Sequence, residues 1–233
     1  MGTRINKFIA DSGLCSRRQA DKLVEEGRVS IDGRTAVPGD TVKDGSAVTV
    51  DGEPIKREET SVLLIFNKPK GLVCTSAEEE KDNVISYINY PKRITYVGRL
   101  DKDSEGLLLL TNKGELVDGL MRSRYGHEKE YIVTVDKAVN ERFIKSMAAG
   151  VPILDTVTRP CVAERIGKYR FRIIITQGLN LQIRRMCEHF GYNVVRLVRV
   201  RVGPITLGDL EPGKYRAATR DEKRAVFRLA EGP

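Results

Sequence analysis

The sequence has little of the material from which metal centres and disulfide frameworks are built. It contains two histidines, His127 and His189, and its four cysteines lie far apart at positions 15, 74, 161 and 187. Without paired cysteine spacing, neither a zinc knuckle nor a redox dithiol is indicated. Lone histidines are more often structural, and two of them supply little for a Ser-His-Asp triad. We therefore predict free, mostly buried thiols and no metal.

Long apolar segments are absent as well. No stretch approaches the length of a membrane span, and residues 1–5 lack the apolar core of a signal peptide. With 233 residues, of which 40% are hydrophobic, the chain suits one large domain plus a small one. We expect a cytoplasmic protein without a membrane partner.

Positive charge is what the sequence has in excess. The net charge of +8 favours an acidic partner, although excess charge also serves solubility. Residues 182–201 hold five arginines against a single acid, Glu188. A solvated face normally mixes signs, so a phosphate-facing surface is favoured. The alternation with apolar residues equally describes a strand with one solvated basic face.

The first sixty residues predict a separate small α+β unit. Apolar spacing in residues 5–9 predicts one helix, and Ser16 can cap a second helix that runs to about Glu26. Short strands are predicted at residues 29–31 and 47–50, each followed by an Asp-Gly turn.

The second helix carries basic residues near its beginning, namely Arg17, Arg18 and Lys22. Such groups can track a nucleic-acid backbone, and the ordinary alternative is a solvated amphipathic helix. The segments SRRQA at 16–20 and GRV at 27–29 resemble the RNA-binding domain named after ribosomal protein S4. The resemblance covers residues 3–52, and we predict an RNA-binding domain at 1–52.

A polar stretch at residues 53–60 is predicted to be a linker, and a second domain is predicted at 61–233. Its strand patterns lie at 62–66, 107–110, 131–135 and 171–175. Its helical patterns lie at about 115–121, 140–147, 180–190 and 221–229. Few strict strand-helix-strand repeats occur, so we predict an α+β fold with a mixed, largely antiparallel sheet.

The most informative stretch is GRLDKDSEG at residues 98–106, which leads into the apolar run at 107–110. It sets three carboxylates and an arginine in a glycine-bounded loop before a buried strand. A rigid scaffold can hold a catalytic acid at such a place, although these residues are also ordinary in turns. Asp101 is the leading catalytic candidate.

A second motif, QGLNLQIRRMCEHFG, occupies residues 177–191. Asn180 can cap a helix whose apolar face includes Ile183, Met186 and Phe190. From this helix alone, an amphipathic helix with solvated arginines is an equally good interpretation.

Together with Lys129-Glu130-Tyr131, these two motifs resemble those of the pseudouridine synthases, over essentially the whole chain. Within that family the chain is similar to the bacterial ribosomal RNA enzymes. Type A of these acts on small-subunit ribosomal RNA, and types B, E and F act on large-subunit ribosomal RNA. The F type is most similar, on residues 128–136, 149–157 and 178–192. The chain departs from its relatives at Leu181, where arginine is frequent.

The resemblance implies that Asp101 is the catalytic aspartate and that Arg184 pairs with it. Tyr131 would stack on the target base, Ile183 would pack beside it, and Arg99 would support the flipped nucleotide or the gap that it leaves. We assign further RNA contacts to seven basic residues: Arg17, Arg18, Lys22, Arg185, Arg196, Arg199 and Arg201.

The implied reaction isomerises uridine to pseudouridine without a cofactor, because no redox change or external group enters. Asp101 would attack the anomeric carbon or abstract the neighbouring sugar proton, and the sequence leaves both open. The implied partner is RNA, namely 23S ribosomal RNA or an assembly intermediate of the large ribosomal subunit, with transfer RNA as a further candidate. We expect a monomer.

Three other classes fit less well. An RNA-binding protein without activity would not need the set of Asp101, Tyr131 and Arg184. A glycoside hydrolase would use a facing carboxylate pair, and forming one from Asp101 and Asp103 would require a special loop. A DNA-binding regulator would show a helix-turn-helix or zinc-finger pattern, and none is recognisable.

Overall fold

The computed structural model describes residues 2–77, 79–121 and 126–231. The chain divides into two compact units. The N-terminal unit contains the chain up to Val62, Tyr90–Ile94 and Asn112–Gly114. The larger unit contains Leu63–Asn89, Thr95–Thr111 and the chain from Glu115 onward.

The N-terminal unit is an α+β module with two helices and six short strands. In chain order these are β1 (Thr3–Arg4), α1 (Ile5–Asp11), α2 (Arg17–Glu25), β2 (Val29–Ile31), β3 (Arg34–Thr35), β4 (Thr41–Val42), β5 (Val48–Val50) and β6 (Glu53–Ile55). One sheet has the order β3-β2-β5-β6, and β1 pairs with β4. Apolar residues of both helices and four of the strands form its core, including Ile9, Ala20, Val29 and Val48.

Helix α2 begins where the sequence predicts. The Ser16 hydroxyl accepts from the backbone N–H of Gln19 at 3.2 Å, and the Gln19 side chain accepts from the backbone N–H of Ser16 at 2.9 Å. This reciprocal capping box satisfies two N–H groups that an isolated helix start leaves without partners. The helix therefore has a defined start that presents its basic residues.

The segment predicted as a linker, residues 53–60, is in part a strand. Its first residues form β6, which pairs antiparallel with β5 through Val50 with Glu53 and Val48 with Ile55. Pro54 is tolerated because β6 is an edge strand. The N-terminal unit thus continues to Val62, beyond the predicted boundary at residue 52.

The larger unit is built on a nine-stranded sheet. Its strands are β7 (Leu63–Lys68), β8 (Thr95–Val97), β9 (Glu105–Thr111), β10 (Lys129–Val135), β13 (Val162–Gly167), β14 (Arg170–Ile175), β15 (Val194–Val202), β16 (Ile205–Thr206) and β17 (Tyr215–Ala217). A small hairpin joins β11 (Pro152–Ile153) to β12 (Thr156–Val157). Its helices are α3 (Val84–Ile88), α4 (Gly114–Met121), α5 (Glu141–Ala149), α6 (Gln182–His189) and α7 (Arg220–Glu231).

The sheet has the order β13-β14-β10-β15-β9-β7-β17, with β16 beside β15 and β8 beside β9. Among the described strands of this sheet, only β9 and β15 run parallel. The fold is therefore α+β with a mixed, largely antiparallel sheet, as predicted. In the larger unit, the sequence did not identify α3, β8, the strands from β11 to β13, β16 or β17.

Strands β7 and β9 are neighbours in the sheet, and each carries a continuous apolar run, at 63–66 and 107–110. All six residues of β7 are buried, as are Gly106 to Thr111 in β9. Strands covered on both faces need apolar side chains at every position rather than at alternate ones. Leu63, Ile65, Leu107 and Leu109 pack into one core cluster that also receives Val226 of α7.

The four cysteines are free, as predicted. Cys74 and Cys187 are buried, and Cys15 and Cys161 are half-buried. Within the described ranges, no helix combines the length and apolar character required to cross a bilayer.

Candidate active site

The larger unit contains a cavity of about 490 Å³ beside strands β10 and β15 of its sheet. Its wall includes residues 73–74, 98–102 and 104, the start of β10, the segment 175–184 and two residues of β15, Leu197 and Arg199. This volume lies in the range of sites that hold small molecules or a single nucleotide. The two motifs that stand out in the sequence therefore meet at one cavity.

Asp101 lines the cavity, and Asp103 is absent from the set of lining residues. The backbone carbonyl of Asp101 accepts from the N–H of Ser104 at 3.0 Å, which closes a tight turn just before β9. The Asp103 carboxylate instead lies 3.7 Å from the ammonium of Lys70. Two facing carboxylates, which the glycosidase interpretation requires, are not formed by this pair.

A buried lysine on β7, which was not identified from the sequence, supports the Asp101 loop. Lys68, at the end of β7, is 0% exposed. Its ammonium donates to the carbonyl oxygens of Ser104 at 2.8 Å, Pro69 at 3.0 Å and Lys102 at 3.4 Å. Burial lowers its pKa, and nearby groups including Asp101 oppose that shift. The available signal was a lysine two positions after the apolar run at 62–66.

Arg184, on helix α6, supports the same loop. Its guanidinium donates to the carbonyl oxygen of Asp103 at 2.9 Å and to that of Val194 at 3.3 Å. The predicted direct pairing of Arg184 with the Asp101 carboxylate is not formed in this structure. Arg184 therefore contacts the loop through its main chain, two residues beyond Asp101.

Tyr131 and Ile183 also line the cavity, and they are only 7% and 4% exposed. Lys129 lies two positions before Tyr131 on β10 and lines the cavity too. Side chains two apart on a strand share a face. Glu130 therefore points to the other face, where it pairs with Arg201 at 2.8 Å.

The prediction of a basic surface along β15 does not hold for Arg199. This side chain is only 3% exposed and lines the cavity. Its guanidinium donates to the carbonyl oxygen of Leu107 at 2.7 Å and to that of Arg99 at 3.4 Å. Arg196 is three positions away, so it points to the opposite face of the strand. The five arginines of this segment do not form one surface.

The remaining arginines of β15 are paired with acids distant in sequence. Arg196 lies 2.6 Å from Glu105, and Arg201 lies 2.9 Å from Glu128. The backbone of Arg199 lies beside Gly106 of the parallel strand β9. A Cβ atom on Gly106 would lie 2.3 Å from the carbonyl oxygen of Arg199, and its φ of +102° also favours glycine.

Helix α6 begins later than predicted. Its N-cap residue is Leu181, with φ of +50° and no side-chain capping hydrogen bond. The Asn180 side chain instead accepts from Arg185 at 3.2 Å. Arg185 is thereby turned toward Asn180 and is not among the residues that line the cavity.

The other predicted contact residues lie at the surface. Arg99 is exposed at the edge of the cavity. Arg17, Arg18 and Lys22 are exposed on α2 of the N-terminal unit. Because they lie on a helix whose Ala20 and Val24 face the core, these basic groups project into solvent.

Cys74 is a nucleophilic atom in the cavity wall, but its environment opposes ionisation. Its sulfur accepts from the backbone N–H of Leu100 at 3.4 Å. Burial raises the pKa of the thiol, and the hydrogen bond and nearby cations only partly oppose that shift. Asp101 is therefore the better candidate for the reacting group. Among the described residues, no group of three His, Cys, Asp or Glu side chains is placed to hold a metal ion.

Comparison with known proteins gives two family matches. The model for RNA pseudouridylate synthase matches residues 62–189, and the S4 domain model matches residues 3–48. The two matches follow the order of the two units.

Individual relatives match nearly the full chain. The dual-specificity RNA pseudouridine synthase RluF of Escherichia coli (strain K12) is 49% identical, over 98% of this chain and 79% of the relative. An uncharacterized RNA pseudouridine synthase of Aquifex aeolicus (strain VF5) is 36% identical, over 98% and 95%. A crystal structure of a pseudouridylate synthase has a TM-score of 0.71 at 29% identity, covering 96% of this chain and 99% of that one.

Proposed function

The chain belongs to the RNA pseudouridylate synthase family, and from this premise we propose that it isomerises a uridine of bacterial 23S ribosomal RNA with Asp101 as the reacting group. The observation that carries the site assignment is the position of Asp101. Among the described residues that line the cavity, it alone carries a carboxylate. Its loop is held through main-chain carbonyls by Lys68 and Arg184.

The chemistry needs one ionised carboxylate at a fixed position. In the reaction, the bond between C1′ and N1 breaks, the base turns, and a new bond forms between C1′ and C5. Asp101 either attacks C1′ or takes the proton from C2′. Both routes demand close orientation of the carboxylate relative to the sugar, which a loop held by hydrogen bonds from both β7 and α6 provides.

Tyr131 and Ile183 are proposed to hold the base. A tyrosine ring that packs on one side in the sheet can present its other side to a planar ligand. Because both side chains are buried in the cavity wall, their positions are set by packing. A base detached from its sugar would be retained between them while it turns.

The target base has to leave its stack to reach the cavity. Extrusion costs a few kcal/mol, which phosphate contacts elsewhere on the RNA offset. We propose that α2 supplies such contacts through Arg17, Arg18 and Lys22. Arg99 at the edge of the cavity would support the extruded nucleotide or the gap behind it.

The 23S target is the one that the motif resemblance to the F-type enzymes implies, and the name of the relative RluF assigns that protein dual specificity. Transfer RNA is therefore included as a second candidate substrate. We propose that the protein is a monomer and acts in the cytoplasm on ribosomal RNA or on the large ribosomal subunit during its assembly.

The direct test uses transcripts of bacterial 23S ribosomal RNA and of transfer RNA made with uridine tritiated at C5. Formation of the new carbon bond releases this tritium, so release measures the reaction. We expect release from the 23S transcript by the wild-type protein and none by Asp101→Asn. Mapping pseudouridine in ribosomal RNA from cells with and without the protein then identifies the site. An unchanged map would contradict the 23S target.

A further inference from the structure

The cavity carries more positive charge than one carboxylate balances. Five of its described lining residues are lysine or arginine, and Asp101 is the sole acid among them. Arg99, Lys102 and Arg184 belong to the loop or contact it. The other two cations, Lys129 and Arg199, lie in the wall formed by β10 and β15.

These two cations flank Tyr131. Lys129 is on the same strand and the same face, and Arg199 is the cross-strand partner of Tyr131 in the register between β10 and β15. Directly opposed side chains on neighbouring strands lie about 5 Å apart at Cβ. A planar ring stacked on Tyr131 therefore has a cation on two sides.

Neither cation has a carboxylate partner within the described part of the chain. The ammonium of Lys129 donates to the carbonyl oxygen of His127 at 3.3 Å. Arg199 uses two of its nitrogens on carbonyl oxygens. Burial lowers the pKa of Lys129, and the charge of Arg199 lowers it further. A partly desolvated cation without a counter-ion is costly, so an anionic ligand would stabilise this arrangement.

A phosphate is a less suitable ligand at this position than a base. Phosphates of an extruded nucleotide remain with the backbone, near the exposed cations Arg99 and Lys102 at the edge of the cavity. Lys129 and Arg199 lie beside the ring that holds the base. The negative charge they meet would therefore belong to the base itself.

We propose that Lys129, together with Arg199, is a catalytic residue that stabilises the negative charge on the detached uracil, an inference that rests on the proposed function. When the bond between C1′ and N1 breaks, its electron pair remains on the base, which becomes an anion. Asp101 accounts for the sugar by bonding to C1′ or by taking the C2′ proton. When C5 bonds to C1′, the bond between Asp101 and C1′ breaks or, on the other route, Asp101 returns the proton to C2′. The C5 proton then leaves and N1 takes up a proton, so the product is an isomer of the substrate.

The test compares Lys129→Met, which removes the charge and keeps the length, with Lys129→Arg, which keeps the charge. Lys145→Met is the matched control, since its side chain is 82% exposed on α5. The substrate is the C5-tritiated 23S transcript with enzyme in excess, and filter binding gives the dissociation constant. We expect Lys129→Met to slow release about 100-fold, the size usual for losing one preorganised charge-stabilising group. Affinity should stay within about two-fold.

A second substrate separates charge stabilisation from a structural role. In a transcript made with C5-tritiated 4-thiouridine, sulfur spreads the negative charge and makes the detached base less basic. The deficit of Lys129→Met should shrink on this transcript, and Lys129→Arg should retain most of the rate on both. Lys129→Gln serves as a replacement if Lys129→Met fails to fold, as judged by thermal melting.

Three results would overturn the inference: wild-type rates in Lys129→Met, weaker binding with an unchanged rate at saturation, or an equal deficit on both transcripts. The second would indicate a phosphate contact, and the third a structural role. Failure of the wild-type protein and of Lys145→Met to release tritium from any transcript would instead contradict the proposed function.

Discussion

The guanidinium of Arg184 donates a hydrogen bond of 2.9 Å to the main-chain carbonyl oxygen of Asp103, and the two residues are 81 positions apart in the sequence. This contact joins the start of α6 to the loop that carries Asp101. A second donor in the same guanidinium reaches Val194 at the start of β15. The guanidinium of Arg184 therefore links three parts of the larger unit, namely α6, the start of β15 and the Asp101 loop.

Arg184→Lys should reduce turnover at saturating RNA by about 10- to 100-fold. Lysine keeps the charge but loses the planar fork that reaches two carbonyl oxygens at once, so the loop is positioned less well. Single-turnover tritium release measures the effect. Arg185→Lys is the neighbouring control and should stay near wild type, because Arg185 donates to Asn180 rather than to the loop. If Arg184→Lys changed affinity alone, Arg184 would be an RNA contact.

Asp101→Asn should abolish isomerisation while the RNA dissociation constant stays within about two-fold. The amide preserves size but can neither attack C1′ nor accept the C2′ proton. Asp103→Asn is the matched control and should retain most activity, because Arg184 uses the main-chain carbonyl of that residue, which the substitution leaves in place. Equal losses in both variants would restore a mechanism with two carboxylates.

The double substitution Arg18→Glu with Lys22→Glu should weaken RNA binding without changing the rate at saturation. Both side chains are exposed and lie four positions apart on α2. Losing two phosphate contacts should lower the slope of log affinity against log salt by roughly 1.5 to 2. Filter binding across salt concentrations measures the slope, with exposed Lys43→Glu as the comparison. An unchanged slope would remove α2 from the RNA-binding surface.

Glu222→Gln should destabilise the protein at pH 7 by about 1 to 2 kcal/mol, discounted for partial exposure. The side chain accepts two hydrogen bonds of 2.7 Å from Arg216 and one of 2.8 Å from the backbone N–H of Thr219. These contacts lower the pKa of Glu222 to about 2, with Arg216 the largest cause.

The pH dependence of that effect follows from the direction of the shift. A carboxylate whose pKa is lowered by folding contributes stability above its unfolded value of about 4.5 and loses it as pH falls toward 2. The difference between wild type and Glu222→Gln, measured by urea unfolding, should therefore shrink over this window. Asp221→Asn, at a side chain that is 90% exposed, should show little difference at any pH. A difference that stayed constant down to pH 2 would contradict the assignment.

The sequence by itself determined those features that depend on neighbouring residues. The capping box of Ser16 and Gln19 is a local pattern, and it starts α2 where predicted. The apolar run at 107–110 marked a buried strand because a strand covered on both faces needs apolar side chains throughout. The resemblance of the motifs identified the family, to which the chain belongs.

Only the tertiary structure decided which charges face the cavity. Arg196, Arg199 and Arg201 look alike in sequence, yet one is buried and two are ion-paired. Their surroundings are set by acids 91 and 71 positions away and by the parallel approach of β9. Lys68 illustrates the same limit, because its buried ammonium is compensated by the carbonyl oxygen of Ser104, 36 positions further along. Burial of a charge is favourable only where distant partners satisfy it, and chain topology determines which partners those are.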